Sequence, residues 1–414
     1  MSSNTADLSA ASGEPLETAD QRRGEYASIA LVGFAHGSSH FFQLLLAPLF
    51  PWLMLEFGLN FTQVGLAMTL FFTLSGFGQT VAGFAVDRFG PARVLFFGES
   101  CLVVAALVLA VTPHYAGIYL AAAFAGCGNA VYHPAGFTVL NRRVTGSRLG
   151  HAFSVHGLSG NLGWALAPAL LTGVATFSNW RMAALSAAGV AFVALLVLIA
   201  KRELLYVPLA QPAERGAPRA TTFDFLRVPA VWLCFGFFFF ITMAFGAFQN
   251  FSAPLLNNLY GLSLAAGASA LTVYLLCGAF GVFVGGFLAA RGEGHDRRIA
   301  LILTTAALLA VLLASGVLPA ALVPVLMGLI GFCNGLAGPS RDLMVRRAAM
   351  ARFGQAAFGR IYGLVYSGLD AGMALSPLVF GLFMDAQQFA LVLLGVALMQ
   401  ILAVLTALSV GRQR

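Results

Sequence analysis

Apolar runs of about 20 residues recur along the whole chain, and such a run forms a helix long enough to cross the roughly 30 Å hydrocarbon core of a bilayer. The chain has 414 residues, of which 59% are hydrophobic and 9% are charged, and its mean hydropathy is +0.86. So few polar residues cannot cover the surface of a water-soluble globule of this length. The runs therefore predict an all-α membrane protein and exclude a soluble fold.

We expect twelve transmembrane helices, six in each half of the chain. In the first half they cover residues 29–49, 63–86, 94–111, 117–139, 151–171 and 182–200. In the second half they cover residues 231–256, 266–290, 299–316, 322–343, 361–383 and 389–408.

The segments between and before these runs predict the domain organisation. Residues 1–25 are polar and lack the features of a secretory signal, so we expect a disordered cytoplasmic tail there. The stretch at 201–228 is rich in proline and charge, which indicates a cytoplasmic linker. The two bundles then span residues 26–200 and 229–414.

Internal repetition relates the two halves. One constant offset aligns Pro51, Gly58, Gly83 and Arg88 with Pro254, Gly261, Gly286 and Arg291. Slightly larger offsets pair Gly126, Asn129 and Pro134 with Gly331, Asn334 and Pro339, and Gly150, Gly163 and Pro168 with Gly359, Gly372 and Pro377. Parallel six-helix repeats predict two pseudo-symmetric bundles with a solute site between them, near the midplane.

The distribution of basic residues predicts the orientation in the membrane, because Lys and Arg are retained in cytoplasmic loops. With both termini in the cytoplasm, only Arg181 of the 23 Lys and Arg residues falls on the other side. The net charge of +7 is thus explained without nucleic acid, which we do not expect as a partner. We expect a monomer in the bacterial inner membrane.

The loop after the second predicted span reads Gly-Phe-Ala-Val-Asp-Arg-Phe-Gly-Pro-Ala-Arg and contains Gly83, Asp87, Arg88, Gly90 and Arg93. It resembles the signature loop of the major facilitator superfamily. The resemblance implies the fold of that superfamily and a conformational latch that steadies the outward-facing state. The second-half copy has Ala290 where the acid would stand, so we expect a one-sided latch.

Residues 126–168 resemble the fosmidomycin-resistance branch of the superfamily. This region has a glycine-rich fourth span that ends in His133-Pro134, followed by a fifth span with Gly157, Gly160 and Gly163. The resemblance implies proton-coupled export. The glycines themselves predict a groove for a partner helix.

Asp370 is the acidic residue to which we assign proton coupling. Ionisable groups inside a bilayer are costly, so a mid-span example is a functional candidate. We expect Asp370 to be the sole carboxylate near the middle of any span, and Asn161 occupies the matching repeat position. The alternative is a structural hydrogen bond to a neighbouring helix.

His36, His40 and Gln43 share one face of the first predicted span, since they are spaced at helical intervals. We expect this face to line the cavity, where the imidazoles could take protons or bind an anion. Further polar candidates for solute binding are Asn129, Tyr132, His133, His156, Asn161, Trp164, Gln249, Asn250, Tyr274 and Asn334.

The intramembrane histidines also allow a metal importer, because neutral imidazole binds copper, zinc, nickel and iron. A Met or Cys set converging on His36 and His40 would favour it, but only Met243 matches, at the repeat position of His40. The five cysteines lack Cys-x-x-Cys spacing. We therefore expect no resident metal and no cofactor.

Catalysis is not expected. The chain has no His-Glu-x-x-His zinc motif, no Gly-x-Ser-x-Gly nucleophile elbow and no nucleotide-binding Gly-x-x-x-x-Gly-Lys loop. A non-transporting membrane receptor is the remaining alternative of another class.

The function expected from the sequence is proton-coupled secondary transport of a small molecule by alternating access. Export of a small amphipathic or anionic compound is the leading hypothesis. Import of an organic acid, a siderophore-like chelate or a transition metal is the alternative.

Overall fold

The computed structural model describes residues 19–207, 227–289, 294–353 and 358–412, and these residues form fourteen α-helices. Those in the first half are α1 (Ala19–Gln43), α2 (Phe50–Phe57), α3 (Phe61–Phe89), α4 (Pro91–Val111), α5 (Ala116–Asn129), α6 (Tyr132–Arg143), α7 (Gly146–Phe177) and α8 (Trp180–Ala200). Those in the second half are α9 (Pro229–Tyr260), α10 (Leu264–Ala289), α11 (His295–Ala314), α12 (Val323–Phe353), α13 (Phe358–Asp385) and α14 (Phe389–Arg412).

The twelve predicted spans are present. Within the described residues, 11 segments are long and apolar enough to cross a membrane, and the first of them, Ala19–Phe57, contains both α1 and α2. The twelfth span consists of α5 and α6, neither of which is long enough to cross by itself.

The fourth span was predicted as one helix over residues 117–139, but it is interrupted after Asn129 and resumes at Tyr132. Pro134 lies just after the break, whereas Pro339, its counterpart in the aligned repeats, lies inside the uninterrupted helix α12. The Pro134 ring would crowd the carbonyl of Ala130 in a continuous helix, which favours a kink or a break, and the first turn of a new helix accepts a residue without an N–H.

The structure changes the predicted boundary of the N-terminal tail. Residues 19–25, which we expected in the tail, are the first turns of α1. They are held there because Glu25 is buried and its carboxylate pairs with Arg148 at 2.9 Å. Residues 1–18 lie outside the described residues, as do residues 208–226 of the predicted linker.

Glycines bring α1 and α7 into backbone contact. A Cβ atom at Gly163 would overlap the main-chain carbonyl of Gly37, and one at Gly37 would lie 3.1 Å from the carbonyl oxygen of Ser159. Gly160 also faces α1, but a Cβ atom at Gly157 would have nothing within 4 Å. The predicted groove therefore receives α1, and Gly157 does not contribute to it.

The second half repeats this packing. A Cβ atom at Gly372 of α13 would lie 2.5 Å from the carbonyl oxygen of Phe239 in α9. Gly126 abuts the carbonyl of Phe71 in the same way that Gly331 abuts the carbonyl of Tyr274. These close approaches fall at matching positions of the aligned repeats.

Hydrogen bonds join the described parts of the two halves. We call the end with Ala19 and Arg412 the terminal side, and the opposite end the distal side. In the distal portions, the Thr69 hydroxyl donates to the carbonyl of Ala374 at 2.6 Å, and the Thr272 hydroxyl donates to the carbonyl of Ala165 at 3.2 Å.

Three glycines toward the terminal side have no close neighbour. Cβ atoms built at Gly83 in α3, Gly157 in α7 and Gly286 in α10 would each have nothing within 4 Å. The described contacts between the halves therefore include the distal hydrogen bonds, and no helix packs against these three glycine positions.

Asp385, the last residue of α13, caps α3 across the interface between the halves. Its carboxylate accepts hydrogen bonds from the main-chain N–H of Phe61 at 2.5 Å, from that of Thr62 at 2.9 Å, and from the Thr62 hydroxyl at 2.5 Å. The first N–H groups of a helix lack intrahelical acceptors and carry partial positive charge, so a carboxylate there is stabilising.

Arg181, the basic residue predicted on the side opposite the others, has a structural role. Its guanidinium donates to Glu56 at 2.7 Å and to the carbonyls of Ala110 and Thr112 at 3.1 and 2.7 Å. It therefore ties the start of α8 to α2 and to the end of α4.

We predict that Gly163→Ala destabilises the protein, because the added methyl group forces α1 and α7 apart. Overpacking of this kind costs about 1–3 kcal/mol, so the melting temperature in detergent should fall. Gly173→Ala is the matched control: Gly173 is also in α7, but its Cβ position has nothing within 4 Å. Equal melting temperatures for both variants would contradict the packing argument.

Candidate functional site

Four histidines meet in the middle of the first half, and we call them the imidazole cluster: His36, His40, His133 and His156. The ring centroid of His36 lies 4.2 Å from that of His40, 5.0 Å from that of His133 and 3.6 Å from that of His156. The helical spacing predicted only the first pair. The glycine contact between α1 and α7 brings in His156, and the start of α6 supplies His133.

The cluster is mostly shielded, since His133 is its only half-buried member and the other three are buried. His36 Nδ1 lies 2.7 Å from the main-chain oxygen of His156, and His36 Nε2 lies 3.2 Å from His133 Nε2. His40 stacks on Trp164, with ring centroids 4.2 Å apart.

Aromatic rings connect this cluster to the second half. Trp164 lies 5.2 Å from Phe245, and Phe245 lies 6.1 Å from Tyr274, measured between ring centroids. The Tyr274 hydroxyl accepts a hydrogen bond from Asn334 Nδ2 at 2.9 Å. A continuous line of contacts thus runs from His40 to Asn334, across the interface between the halves.

Asn129 is the hub of a buried polar network in the first half. Its Oδ1 accepts from the Ser39 hydroxyl at 2.6 Å and from Gln43 Nε2 at 3.1 Å, and its Nδ2 donates to the Ser75 hydroxyl at 2.7 Å. Trp164 Nε1 donates to Gln43 Oε1 at 2.9 Å. The network joins α1, α3, α5 and α7, so the predicted residues Asn129, Gln43 and Trp164 belong to one assembly.

Asn334 occupies the matching place in the second half. Besides its bond to Tyr274, its Oδ1 accepts a hydrogen bond from Gln400 Nε2 at 3.1 Å. Asn129 and Asn334, which align in the repeats, therefore each hydrogen-bond to side chains of other helices in their own half.

Glu99 corrects the expectation that Asp370 is the sole mid-span carboxylate. Glu99 is 0% exposed and accepts hydrogen bonds from the Ser38 hydroxyl at 2.6 Å and from the Tyr132 hydroxyl. The predicted third span, residues 94–111, already contains Glu99 as its sixth residue. The helix begins at Pro91, so Glu99 is the ninth of its 21 residues and lies near the middle.

Tyr132, which was predicted to contact solute, instead has a structural partner. It is buried between α4 and α6 and donates to Glu99, so it supports that carboxylate. The signal that could have found Glu99 is a single acid within the apolar run of α4.

Asp370 lies at the contact between α3 and α13, half-buried. A Cβ atom at Gly76 would lie 3.3 Å from Asp370 Cβ and 3.6 Å from its Oδ2. Among the described residues, no hydrogen bond or ion pair to its carboxylate is found. Asn161, its repeat counterpart, is also half-buried and donates to the carbonyl of Gly157 at 3.2 Å.

Gln249 and Asn250 are buried in the distal part of α9, where the halves meet. The side chain of Asn250 donates to the carbonyl of Gly246 in its own helix at 2.7 Å. Neither polar atom of the Gln249 side chain has a hydrogen-bond partner in the part of the chain that is described. These two predicted residues are therefore separate from the imidazole cluster.

The predicted latch loop is only partly described. Gly90 has a φ angle of 83°, which a residue with a side chain rarely adopts, so it makes the turn between α3 and α4. Arg88 lies over the ring of Phe89, and Arg93 lines an apolar groove of about 510 Å³ between α3, α4 and α5. The side chain of Asp87 lies outside the described part, and so does Ala290.

Sequence comparison identifies relatives along most of the chain. The family model described as Major Facilitator Superfamily matches residues 32–349. The uncharacterized MFS-type transporter YfnC of Bacillus subtilis (strain 168) is 26% identical over 399 residues, or 94% of each chain. The fosmidomycin resistance protein of Escherichia coli (strain K12) is 25% identical over 269 residues, which cover 64% of this chain and 65% of that protein.

Solved transporters share the fold. An inward-facing, occupied bacterial homologue of the human lysosomal transporter Spinster has a TM-score of 0.74 at 13% identity and covers 96% of this chain and 98% of its own. The nucleoside transporter NupG also has a TM-score of 0.74, at 12% identity, with 92% and 99% covered. The family match across most of the sequence, together with this shared two-bundle architecture, establishes that the chain belongs to the Major Facilitator Superfamily.

Proposed function

We propose that this protein is a proton-coupled transporter of the bacterial inner membrane that exports a small anionic or amphipathic compound by alternating access. The observation that carries the proposal is the position of Asp370, an unpaired carboxylate among the described residues, at the contact between α3 and α13. A group placed there changes its surroundings whenever the two halves move relative to each other. It can therefore couple a proton to the conformational change.

Glu99 is the second candidate for carrying a proton. It is buried in α4 and bonded only to hydroxyl groups among the described residues, without a Lys or Arg partner. Ionisable groups inside a membrane protein are costly to keep and mark proton or substrate pathways. Glu99 adds to the proton-coupling group that we predicted, which consists of Asp370, His36 and His40.

The solute-binding surface in this proposal is the line of contacts from His40 through Trp164, Phe245 and Tyr274 to Asn334. Aromatic faces accommodate the apolar part of an amphipathic solute, while imidazole and amide groups bind its polar part. Both halves contribute, as a carrier with a site between its bundles requires. The relation to a fosmidomycin resistance protein favours export.

The described state fits an inward-facing carrier in this proposal. If the terminal side is cytoplasmic, the distal hydrogen bonds between the halves lie toward the periplasm, and the unpacked glycine positions of α3, α7 and α10 lie toward the cytoplasm. Opening outward then requires Asp385 to release α3. The Asp385 contact and the predicted latch of Gly83, Asp87, Arg88, Gly90 and Arg93 would act at opposite ends.

Transport by purified protein in liposomes tests the proposal. With a pH gradient imposed, we expect substrate movement for fosmidomycin or another member of a panel of small organic anions. Asp370→Asn should lower gradient-driven transport at least about tenfold, or about 1.4 kcal/mol, because the amide cannot bind and release a proton. Asp296→Asn, at the start of α11, is the control. Unchanged transport by Asp370→Asn would remove this residue from the coupling mechanism.

Glu99→Gln separates proton coupling from structural support. Glutamine has the shape of glutamate; its amide oxygen can accept from one of the two hydroxyls, Ser38 or Tyr132, and its amide N–H can donate to the other, so the melting temperature should stay within a few degrees of that of the wild type. Gradient-driven transport should fall at least about tenfold if Glu99 exchanges protons. Retained transport together with a lower melting temperature would instead assign Glu99 to folding alone.

Asp385→Ala should favour opening at the distal side, because it removes three hydrogen bonds that join the halves. Hydrogen–deuterium exchange should rise at least about tenfold in residues 47–57 and 374–384. Asn60→Ala is the matched control, since Asn60 caps the same end of α3 from within its own half. If both variants raise exchange only around residues 60–64, Asp385 is not a gate contact.

A further inference from the structure

Three members of the imidazole cluster have the geometry of metal ligands. One ring nitrogen each from His36, His40 and His133 lies within 4.8 Å of the other two. The three side chains come from α1 and α6, both in the first half. A Met or Cys set was the feature expected to favour a metal, but a third histidine takes that place instead. Met243 contacts Ser376 of α13 through its carbonyl.

The hydrogen bonding of His36 fixes which of its nitrogens can bind a cation. Its Nδ1 lies 2.7 Å from the main-chain oxygen of His156, and a carbonyl oxygen only accepts hydrogen bonds. Nδ1 must therefore carry a hydrogen, so Nε2 of the neutral ring presents its lone pair. That lone pair faces His133 Nε2 at 3.2 Å, from which it can accept a hydrogen bond, and a bound cation would replace this hydrogen bond. A ring nitrogen that donates to a carbonyl while the other stays free is the usual arrangement of a metal-binding histidine.

The spacing agrees with metal coordination. Zinc binds imidazole at about 2.0–2.1 Å with tetrahedral angles, which places neighbouring ligand nitrogens about 3.3 Å apart. The 3.2 Å distance between His36 and His133 matches this separation, and the other distances, which reach up to 4.8 Å, would have to shorten by rotation of the rings when an ion binds. Nδ1 of His40 is buried and has no hydrogen-bond partner among the described residues, so this nitrogen is available to bind a cation.

Gly160 positions two of these rings. A Cβ atom at Gly160 would lie 2.6 Å from His40 Nδ1 and 2.8 Å from His36 Cε1. The rings therefore occupy the space that the missing side chain leaves. An alanine at this position would displace both ligands without removing either.

We propose that His36, His40 and His133 bind one divalent transition-metal ion of the zinc, cobalt, nickel and copper class. An all-imidazole set suits these ions, whereas magnesium and calcium prefer oxygen ligands. Three protein ligands leave a coordination position for water or for an oxygen of an anionic solute. Because all three ligands belong to the first half, the ion can bind without closure of the two halves. The proposal does not depend on the direction of transport or on Asp370, but while the ion is bound His36 and His40 cannot take up protons, so coupling then rests on the carboxylates.

Equilibrium metal binding tests this inference without a transport assay. Purified protein without a polyhistidine tag is treated with a chelator and then titrated with Zn²⁺ and with Co²⁺, and the bound metal is counted by mass spectrometry after dialysis. We expect one ion per chain, with the visible absorption of tetrahedral Co²⁺. Binding should weaken as the pH falls from about 7.5 to 5.5, because protonated imidazole cannot bind a metal.

Variants identify the ligands. His36→Gln, His40→Gln and His133→Gln should each weaken binding at least about tenfold, and Gly160→Ala should weaken it with all ligands present. His151→Gln is the matched control, since His151 is exposed on α7 outside the cluster. Melting temperatures measured with and without Zn²⁺ distinguish loss of the site from misfolding. A variant that is folded but has lost the site melts cooperatively, and Zn²⁺ does not raise its melting temperature.

The outcomes separate this inference from the proposed function. Absence of stoichiometric metal on the wild-type protein, or equal loss with His151→Gln, would overturn the metal site. If no metal binds and the three cluster variants lose proton-driven transport, the cluster serves proton transfer and the function proposal stands. If metal binds and Asp370→Asn transports normally, the metal site stands and the coupling proposal fails.

Discussion

The structure depends first on the backbone contact between α1 and α7. Glycine at residues 37 and 163 lets the two helices approach until main chain meets main chain, and the gap beside Gly160 is filled by imidazole rings. Lipid tails are as apolar as leucine, so burial of apolar surface does little to hold helices together inside a bilayer. Close packing has to do so instead. The same contact that holds the first bundle together therefore also creates its polar centre.

The repeat extends this logic to the second bundle, but with different chemistry. Gly372 brings α13 against α9 as Gly163 brings α7 against α1, yet the polar group at the matching position of Asn161 is an acid, Asp370. One half thus concentrates imidazole groups in its interior, while the other places a carboxylate at the interface. The two halves thus share the same helix packing but carry different ionisable groups, histidines in the first half and Asp370 in the second.

The fold could largely be predicted from the sequence, because only α-helices and closed β-barrels satisfy the main-chain hydrogen bonds of a chain that crosses a bilayer. The apolar runs gave the twelve spans, and the repeated glycines and prolines gave the two bundles. The shared face of His36 and His40 followed from helical spacing alone. Convergence of His133 and His156 on that face did not, because it depends on how three helices pack. Asp385 gave no signal at all, since it follows an apolar run like any loop acid and its partner Phe61 is 324 residues away in the chain.

The cap that Asp385 places on α3 has a consequence for how this contact can change over time. Two of its three donors are main-chain N–H groups, which every residue except proline supplies, so replacement of the side chain at Phe61 leaves that bond in place. Substitutions at residue 61 therefore change this contact little. Correlated substitutions between α3 and α13 would not be expected to mark it in an alignment of homologues. Conservation of this contact between the halves therefore requires only that an acidic residue is kept at position 385.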